Sequence, residues 1–191
     1  ILEAALRVIR TKGYSASSVD DICAEAKLSK GAFFHHFSSK EDLAVAAAQY
    51  WSEKTGDFFA AAPYHSYTKP FERVLGNVAL RSELIQGELS QLSCLVGTWA
   101  QEIYGTSPSI QKACWDSVSG HADTLVVDID AAMSDAGEIY DFAAESLALH
   151  TQGVIQGAFI LAKASGNPGR AIESIDHLYR YLHLLLKPKT A

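Results

Sequence analysis

The sequence contains few cysteines and no long hydrophobic stretch. Only three of its 191 residues are cysteine, and they are far apart, which argues against a disulfide framework and for a reducing cytoplasm. No apolar run approaches the roughly 18 residues that a transmembrane helix requires. With 48% hydrophobic residues, the chain can still bury one good core, or the cores of a small and a larger domain. We therefore expect a cytoplasmic protein that does not bind a membrane.

The motifs of common enzyme classes are also missing. The sequence has no Gly-rich phosphate loop, no His-Glu zinc motif and no nucleophile elbow. A metal site built from Cys94, Cys114, His121 and His150 is conceivable. However, only the pair Cys114 and His121 has even a loosely suitable spacing. The sequence therefore predicts a protein that is not an enzyme and that has no cofactor and no metal site.

The chain lacks the excess positive charge that DNA-binding proteins usually carry. Its net charge is −6 at pH 7. The acidic residues are unevenly spread, because residues 1–54 contain seven Lys or Arg against seven Asp or Glu, whereas residues 55–191 contain nine against fifteen. The chain starts on Ile1, with no Met and already in a helical pattern, and so we expect a further segment before it. Charge alone does not indicate DNA as a partner, because a basic patch is the usual sign.

The stretch SVDDICAEAKLSKGAFFHHFSSK nevertheless combines helix caps, a tight turn and inward-facing aromatics. Ser18 and Asp21 have the spacing of a capping box, and apolar residues at three- and four-residue intervals follow, which predicts a helix of about two turns. Ser29 is placed to cap a second short helix, on which Phe33 and Phe37 lie four apart and point inward. Two short helices joined by a turn are typical of a helix-turn-helix, whose second helix enters the DNA major groove.

The same residues resemble a known family. The segment SKGAFFHHFSSKEDL closely resembles the recognition-helix signature of the TetR family of bacterial transcription regulators, and VDDICAEAKLS resembles the first helix of that family's motif. The resemblance is strong from about Ile1 to Leu43 and rests mainly on helix layout beyond that point. It implies an all-α, TetR-like fold with a three-helix head, containing the helix-turn-helix, and a six-helix ligand-binding and dimerisation body. We place the DNA-binding domain, incomplete at its N-terminus, at residues 1–45 and the body at residues 46–191.

The second motif helix carries the side chains that we expect to contact a double-stranded DNA operator. Lys30 is long and charged enough to reach guanine acceptors, the Ala32 methyl can touch a thymine methyl, and Gly31 permits close backbone approach. The resemblance assigns phosphate contacts to Phe34, His35, His36 and Lys40. The helix N-termini at Ser18 and Ser39 can each present N–H groups to a phosphate. The expected DNA-binding set is Ser18, Ser29, Lys30, Gly31, Ala32, Phe34, His35, His36 and Lys40.

Two positions depart from the family pattern. The family usually has Tyr where this chain has Phe34, and Phe has no hydroxyl to donate to a phosphate. The turn between the motif helices usually contains Gly where this chain has Lys27. A left-handed Lys costs about 1–2 kcal/mol, which is tolerable if its side chain helps to neutralise DNA.

The rest of the chain has helical spacing and no strand pattern. Helices are expected from Lys40 to about Ala62, from Pro70 to about Leu89, from Leu92 to Tyr104, from Ser109 to Ala136, from Tyr140 to Ala164 and from Arg170 to Leu186. The helix ending at Ala164 is apolar on more than one face, so it must bury one face in its own core and another elsewhere. By resemblance, the last two helices of two subunits form a four-helix bundle; a monomer with a buried central helix is the alternative. The expected dimer contacts are Gly153, Gln156, Gly157, Ile160, Ile175, Tyr179 and Leu182.

The resemblance also implies a pocket for a small-molecule effector in the body. The candidates are the aromatic and polar residues on otherwise apolar helices: Cys94, Trp99, Trp115, His121, His150 and Gln152. Taken alone, each is more readily explained as an ordinary core, hydrogen-bonded interior or interface residue. Cys94 lies in a Cys-Leu-Val-Gly stretch that resembles a TetR subgroup, some members of which sense electrophiles or oxidants through cysteine. A thiol near a helix N-terminus is activated by the helix dipole, but free cysteine is usually a small buried hydrophobe, and both readings stay open.

Two functions from different classes follow from the sequence. The first is a homodimeric, ligand-responsive transcription regulator that acts as a repressor and is released from its operator by a small molecule. The second is a helical small-molecule carrier or enzyme in which the helix-turn-helix is incidental.

Overall fold

The computed structural model describes residues 1–86 and 94–188, which form nine α-helices and no β-strand. The helices are α1 (Leu2–Lys12), α2 (Val19–Ala26), α3 (Lys30–His36), α4 (Lys40–Ala60), α5 (Pro70–Glu83), α6 (Leu95–Ile103), α7 (Pro108–Ala136), α8 (Ala144–Ser165) and α9 (Gly169–Leu186). A short 3-10 turn, Pro63–Ser66, lies between α4 and α5. For the described residues, the prediction of an all-α fold with nine helices is therefore confirmed.

Several helix ends coincide with the proline and glycine signals of the sequence. Proline occupies the first position of α5 and of α7, and Gly166 ends α8 in the left-handed conformation with φ 66°. The expected helix start at Tyr140 is wrong, because Ala143 is extended and α8 begins only at Ala144. The Tyr140 hydroxyl instead donates a hydrogen bond of 2.7 Å to the carbonyl of Leu185.

Two expected helix ends fall at or beside residues 87–93, which the structure does not describe. Helix α5 ends at Glu83 and not near Leu89, and α6 begins at Leu95. The expected end at Leu89 and the expected start at Leu92 lie outside the described residues.

The first compact unit comprises residues 1–56 and, of the described residues, 94–118. Helices α1 to α3, most of α4, α6 and the start of α7 share one core here. Its largest fully buried side chains include Ile9, Phe33, Leu43 and Trp99. Burial of one such side chain contributes about 1.5–3 kcal/mol, so the core fixes the short helices α2 and α3, which are too short to be stable alone.

Of the described residues, the second unit comprises 57–86 and 119–188. Its core is formed by the apolar faces of α5, α8 and α9 with the second part of α7, and includes Val74, Ile129, Ile155 and Ile175. Compactness does not test the functional division at residue 45, which stays a prediction.

Two further findings concern residues 1–86 and 94–188. None of their helices is both long enough and apolar enough to cross a membrane. The same residues hold no group of three or more His, Cys, Asp or Glu side chains that could bind a metal ion.

Candidate nucleic-acid interface

Helix α2 begins with the predicted capping box. The Ser18 hydroxyl accepts the backbone N–H of Asp21 at 3.1 Å, and the Asp21 carboxylate accepts the backbone N–H of Ser18 at 2.9 Å. Lys12 donates to the same carboxylate at 2.6 Å. Hydrogen bonds from Lys12 and then from Ser18 hold the pKa of Asp21 well below its usual range. The N-terminus of α2 is thus capped by Ser18 together with the Asp21 carboxylate. The predicted phosphate contact of Ser18 remains a proposal.

Lys27 makes the turn between α2 and α3. It has φ 55° and ψ 44°, and among the described residues no other non-glycine residue has a positive φ. The backbone N–H of Lys27 donates to the carbonyl of Ala24 at 3.2 Å, and that of Leu28 donates to the carbonyl of Cys23 at 2.9 Å, so two of the last four carbonyls of α2 are satisfied. The prediction of a left-handed Lys is confirmed. Its side chain is exposed and makes no ion pair or hydrogen bond with any described residue.

Helix α3 is anchored by its aromatic residues. Ser29 caps it by accepting the N–H of Ala32 at 3.1 Å. Phe33 is fully buried and Phe37 is partly buried, with ring centroids 5.8 Å apart, as the spacing predicted. Phe34 lies edge-on to Phe33 at 5.1 Å and remains 54% exposed. One side of α3 is therefore fixed in the core, and the opposite side is presented outward.

The outward side of α3 contains most of the residues predicted to contact DNA. Ser29, Lys30, Gly31, Phe34, His35 and His36 are exposed, and Ala32 is partly exposed. A Cβ added at Gly31 would approach only the Ser29 hydroxyl, at 3.8 Å, so the fold leaves open space in front of this backbone. The two imidazoles lie 5.2 Å apart at the C-terminal end of α3, where the helix dipole favours positive charge.

Lys30 is oriented by Asp20, a neighbour that the sequence pattern does not indicate. Its ammonium forms an ion pair of 2.8 Å with Asp20 on α2, and both side chains are well exposed. The hydrogen bond that this ammonium donates to the Asp20 carboxylate raises the pKa of Lys30, which keeps the ammonium charged. An exposed pair of this kind contributes little to stability, so Lys30 can exchange Asp20 for another acceptor at small cost.

Lys40 points into the protein and not only towards solvent. Its ammonium donates to the carbonyls of Tyr14 at 3.0 Å and Ser17 at 2.9 Å, and lies 4.1 Å from the centre of the Tyr14 ring. Burial lowers the pKa of Lys40, and the nearby carboxylate of Glu102 opposes this effect. Two of the three donors of this ammonium hold the turn between α1 and α2. The assignment of Lys40 as a phosphate contact remains a proposal, in which only the third N–H of the ammonium is available to the phosphate.

The six pocket candidates do not lie in one compact unit. Cys94, Trp99 and Trp115 belong to the first unit, while His121, His150 and Gln152 belong to the second. Trp99 has no exposed surface, whereas Trp115 is 57% exposed and His150 is also exposed, with its ring edge-on to Tyr181 at 5.7 Å.

Three of the candidates are at least partly buried. Gln152 is buried, with an amide nitrogen that has no hydrogen-bond partner among the described residues. His121 is partly buried, and burial together with the charge of Arg81 lowers its pKa to about 4. Cys94 is partly buried at the N-terminus of α6. The effector pocket stays a prediction.

The expected dimer contacts divide into two groups. Gly153, Gln156, Gly157, Ile160 and Tyr179 retain exposed surface on α8 and α9. Ile175 and Leu182 have none, because both side chains pack in the core of the second unit. We therefore correct their assignment: they support α9 from inside and cannot themselves touch another subunit.

Comparison with known proteins assigns the head. A family model described as "Bacterial regulatory proteins, tetR family" matches residues 1–47, which include α1 to α3 with their caps and turns. Residues 1–47 therefore match the TetR family. The Cys-Leu-Val-Gly subgroup within the family stays a prediction.

Two solved structures share the fold over nearly the whole chain. The reduced form of NemR from E. coli has a TM-score of 0.85 at 15% identity, covering 100% of this chain and 96% of that chain. The regulatory protein TetR from Rhodobacter sphaeroides has a TM-score of 0.82 at 22% identity, covering 94% and 95%. At such low identity these likenesses establish the TetR-like fold and nothing more.

Curated relatives match over shorter segments. The uncharacterized HTH-type transcriptional regulator YuxN of Bacillus subtilis (strain 168) is 29% identical over 136 residues, which cover 66% of this chain and 43% of that protein. The HTH-type transcriptional repressor DhaR of Mycobacterium sp. (strain GP1) is 28% identical over 103 residues, which cover 54% of this chain and 50% of that protein. The matched segments thus span no more than half the length of these relatives.

Proposed function

We propose that this protein is a homodimeric transcription regulator of the TetR family, which binds a double-stranded DNA operator and acts as a repressor that a small-molecule effector releases. The observation that carries the proposal is the outward side of α3, which is rigidly anchored by Phe33 and presents Lys30, Gly31 and the His35–His36 pair to solvent. A short, fixed helix with polar and small residues on its outer side fits the major groove of B-DNA.

The proposed DNA contacts are of two kinds, contacts to phosphates and a contact to a base. Lys27 and the two histidines are placed to meet phosphates, which give affinity and register but no sequence information. Lys30, at the N-terminal end of α3, is the candidate for a base contact to guanine, and Asp20 holds it in an exposed position until DNA supplies a better acceptor. Asp20 also repels phosphates, so non-specific binding is weakened more than binding to a site that engages Lys30.

Dimerisation is proposed through α8 and α9. These helices carry six exposed large hydrophobic side chains: Leu149, Ile160, Leu161, Tyr179, Tyr181 and Leu184. A Cβ at Gly153 or Gly157 would have no atom within 4 Å, so the surface there is low and open to the approach of a second helix. Two heads are what a DNA site with half-sites about 34–36 Å apart requires.

Release by an effector is proposed as a shift of population. The dimer has one conformation whose heads are spaced to engage both half-sites and another whose heads are not. A small molecule that binds the second conformation more tightly shifts the population away from DNA. The shift in free energy cannot exceed the difference between its binding free energies for the two conformations. The relative DhaR is a transcriptional repressor, which supports repression as the output. The candidate residues for the effector pocket remain those predicted from the sequence. In the second unit, Gln152 is buried and His121 is partly buried.

The DNA proposal is tested by selecting duplexes from a random pool with the purified protein and footprinting the winner. We expect two protected half-sites separated by about one helical turn. Lys30→Ala should weaken binding and relax preference at one base pair per half-site, by about 1–3 kcal/mol of discrimination. Lys112→Ala, which removes an exposed lysine of α7 that is paired with Asp116, is the matched control and should leave both unchanged. Recovery of no enriched sequence would contradict the proposal.

The dimer proposal has its own pair of variants. Gly157→Trp places a large side chain on the proposed pairing surface, and Gly120→Trp places one at an equally open glycine of α7. We expect the molar mass in solution, measured by light scattering, to fall to that of one subunit only for Gly157→Trp. Equal behaviour of the two variants would exclude this surface as the interface.

A further inference from the structure

A carboxylate distant in sequence holds the turn that leads into the helix-turn-helix. Glu102, near the C-terminal end of α6, accepts the backbone N–H of Tyr14 at 2.8 Å and that of Ser15 at 2.7 Å. These two residues lie between α1 and α2, 88 and 87 positions before Glu102. Each carboxylate oxygen takes one N–H, so the group binds two consecutive amides in a bidentate manner. Such charge-assisted hydrogen bonds are stronger and more directional than neutral ones.

The local sequence is built for this contact. Gly13 ends α1 with φ 87° and ψ 162°, a conformation that is essentially restricted to glycine. A Cβ at this position would lie 3.3 Å from the nearest Glu102 oxygen, so glycine also makes room for the carboxylate. The Ser17 hydroxyl donates to the Gly13 carbonyl at 2.6 Å, which closes the turn on itself.

The carbonyls of the turn are held by the opposite charge. As described above, Lys40 donates to two of them and covers the Tyr14 ring. The Tyr14 ring also packs edge-on against Trp99, one helical turn before Glu102, with centroids 6.0 Å apart. The turn is therefore fixed to α6 by its amides and by an aromatic contact, and to α4 by its carbonyls.

The charge state of Glu102 suits this arrangement. Partial burial acts to raise the pKa of its carboxyl, but the N–H groups of Ser15 and Tyr14 and the Lys40 ammonium outweigh burial, so that the pKa lies below its usual value. The group is thus ionised at neutral pH, and it offers only acceptors to the two amides.

We propose that Glu102 is a positioning residue for DNA recognition: it ties the turn between α1 and α2 to the end of α6 and so sets the orientation in which α2 and α3 are presented. This inference rests on the proposed DNA-binding function. A displacement of α6 along its axis is passed directly to the N-terminal end of α2 through the two amides. Helix α2 contacts α3, and both share the core that contains Trp99.

The test uses Glu102→Gln, with Glu53→Gln on α4 as a matched control for the loss of one negative charge. In Glu102→Gln, one carboxylate oxygen is replaced by an NH₂ group, so one backbone N–H faces a donor instead of an acceptor. Removal of a negative charge by itself tightens binding to DNA, and we expect this small effect in Glu53→Gln. The positioning role predicts the opposite sign for Glu102→Gln: about tenfold weaker binding to the selected duplex. Affinities are measured well below the unfolding transition of every variant, so that loss of folded protein does not contribute.

Amide hydrogen exchange supplies a readout that is independent of DNA. The amides of Tyr14 and Ser15 should exchange at least tenfold faster in Glu102→Gln and be unchanged in Glu53→Gln. Residual dipolar couplings should show a changed orientation of α2 and α3 relative to α6. If Glu102→Gln binds the duplex as tightly as Glu53→Gln, or if these couplings are unchanged, the positioning role is wrong. If the wild-type protein binds no duplex, the proposed function fails, while the couplings still decide the positioning role.

Discussion

The turn residue Lys27 gives a prediction in which stability and DNA binding change in opposite directions. Its backbone is in the left-handed conformation, φ 55° and ψ 44°. A residue with a Cβ pays about 1–2 kcal/mol for that conformation, whereas glycine pays only the loss of its greater freedom in the unfolded chain, about 0.5–1 kcal/mol. Lys27→Gly should therefore stabilise the protein by about 0.5–1 kcal/mol, which raises the melting temperature by about 2 °C for a chain of this size.

The same substitution should weaken DNA binding. The Lys27 side chain is exposed beside α3 and makes no hydrogen bond or ion pair with the described residues, so its charge is available for a phosphate. Each lost phosphate contact reduces the slope of log K against log salt by about 0.9, and a dimer loses two. The slope for Lys27→Gly should therefore be shallower than that of the wild type by about 1.8.

Lys27→Ala separates the two effects, because alanine removes the charge but keeps a Cβ in the left-handed conformation. We expect it to weaken DNA binding as much as Lys27→Gly does, with little change in stability. The assays are urea unfolding followed by circular dichroism, and fluorescence anisotropy of a labelled duplex at a series of salt concentrations. The reasoning about strain is refuted if the glycine variant is no more stable than the alanine variant. The reasoning about phosphate contact is refuted if neither variant changes the salt slope.

Three further predictions concern single side chains. Phe34→Tyr should restore a phenol donor on the outer side of α3 and tighten duplex binding by about tenfold per head without changing the salt slope, since a hydrogen bond to a charged group contributes about 1.5 kcal/mol; an unchanged anisotropy titration would contradict this. Burial, aided by Arg81, lowers the pKa of His121 to about 4, while the unfolded value is about 6.5, so the unfolded chain takes up its proton first as the pH falls. The wild type should accordingly lose about 3 kcal/mol more stability than His121→Gln between pH 7 and pH 4 in urea unfolding, and parallel pH profiles would exclude this. Cys94 should be alkylated by iodoacetamide in the native protein faster than Cys114, because Cys114 is buried and burial raises its pKa to about 12, and equal rates in mass spectrometry would remove Cys94 from consideration as a sensor.

Local features of the fold were predictable because their causes are local. The capping box of Ser18 and Asp21, the left-handed Lys27 and the inward-facing Phe33 each depend on residues within about four positions, and the structure contains all three. The outer side of α3 follows from the same periodicity, since a helix with one buried side exposes the other. That is why most of the predicted DNA contacts are found on an exposed surface.

Features that depend on distant residues were not predictable. The sequence places Lys40 in the first turn of α4, and nothing near it indicates that its ammonium holds carbonyls of residues 14 and 17. Glu102 is similar, because its two partners lie more than 80 positions away. Ile175 and Leu182 illustrate a third limit: helical spacing shows that a helix has an apolar side, but does not show whether that side packs in the protomer's own core or against another subunit.

The central claim is that the outer side of α3 grips duplex DNA in two copies. The most direct measurement is the equilibrium affinity for the selected duplex as a function of salt concentration. The account predicts a linear fall of log K with log salt, with a slope of about −3.6, because two cationic phosphate contacts in each of two heads contribute about −0.9 each. A flat salt dependence, or no binding to any duplex at the lowest salt, would contradict it.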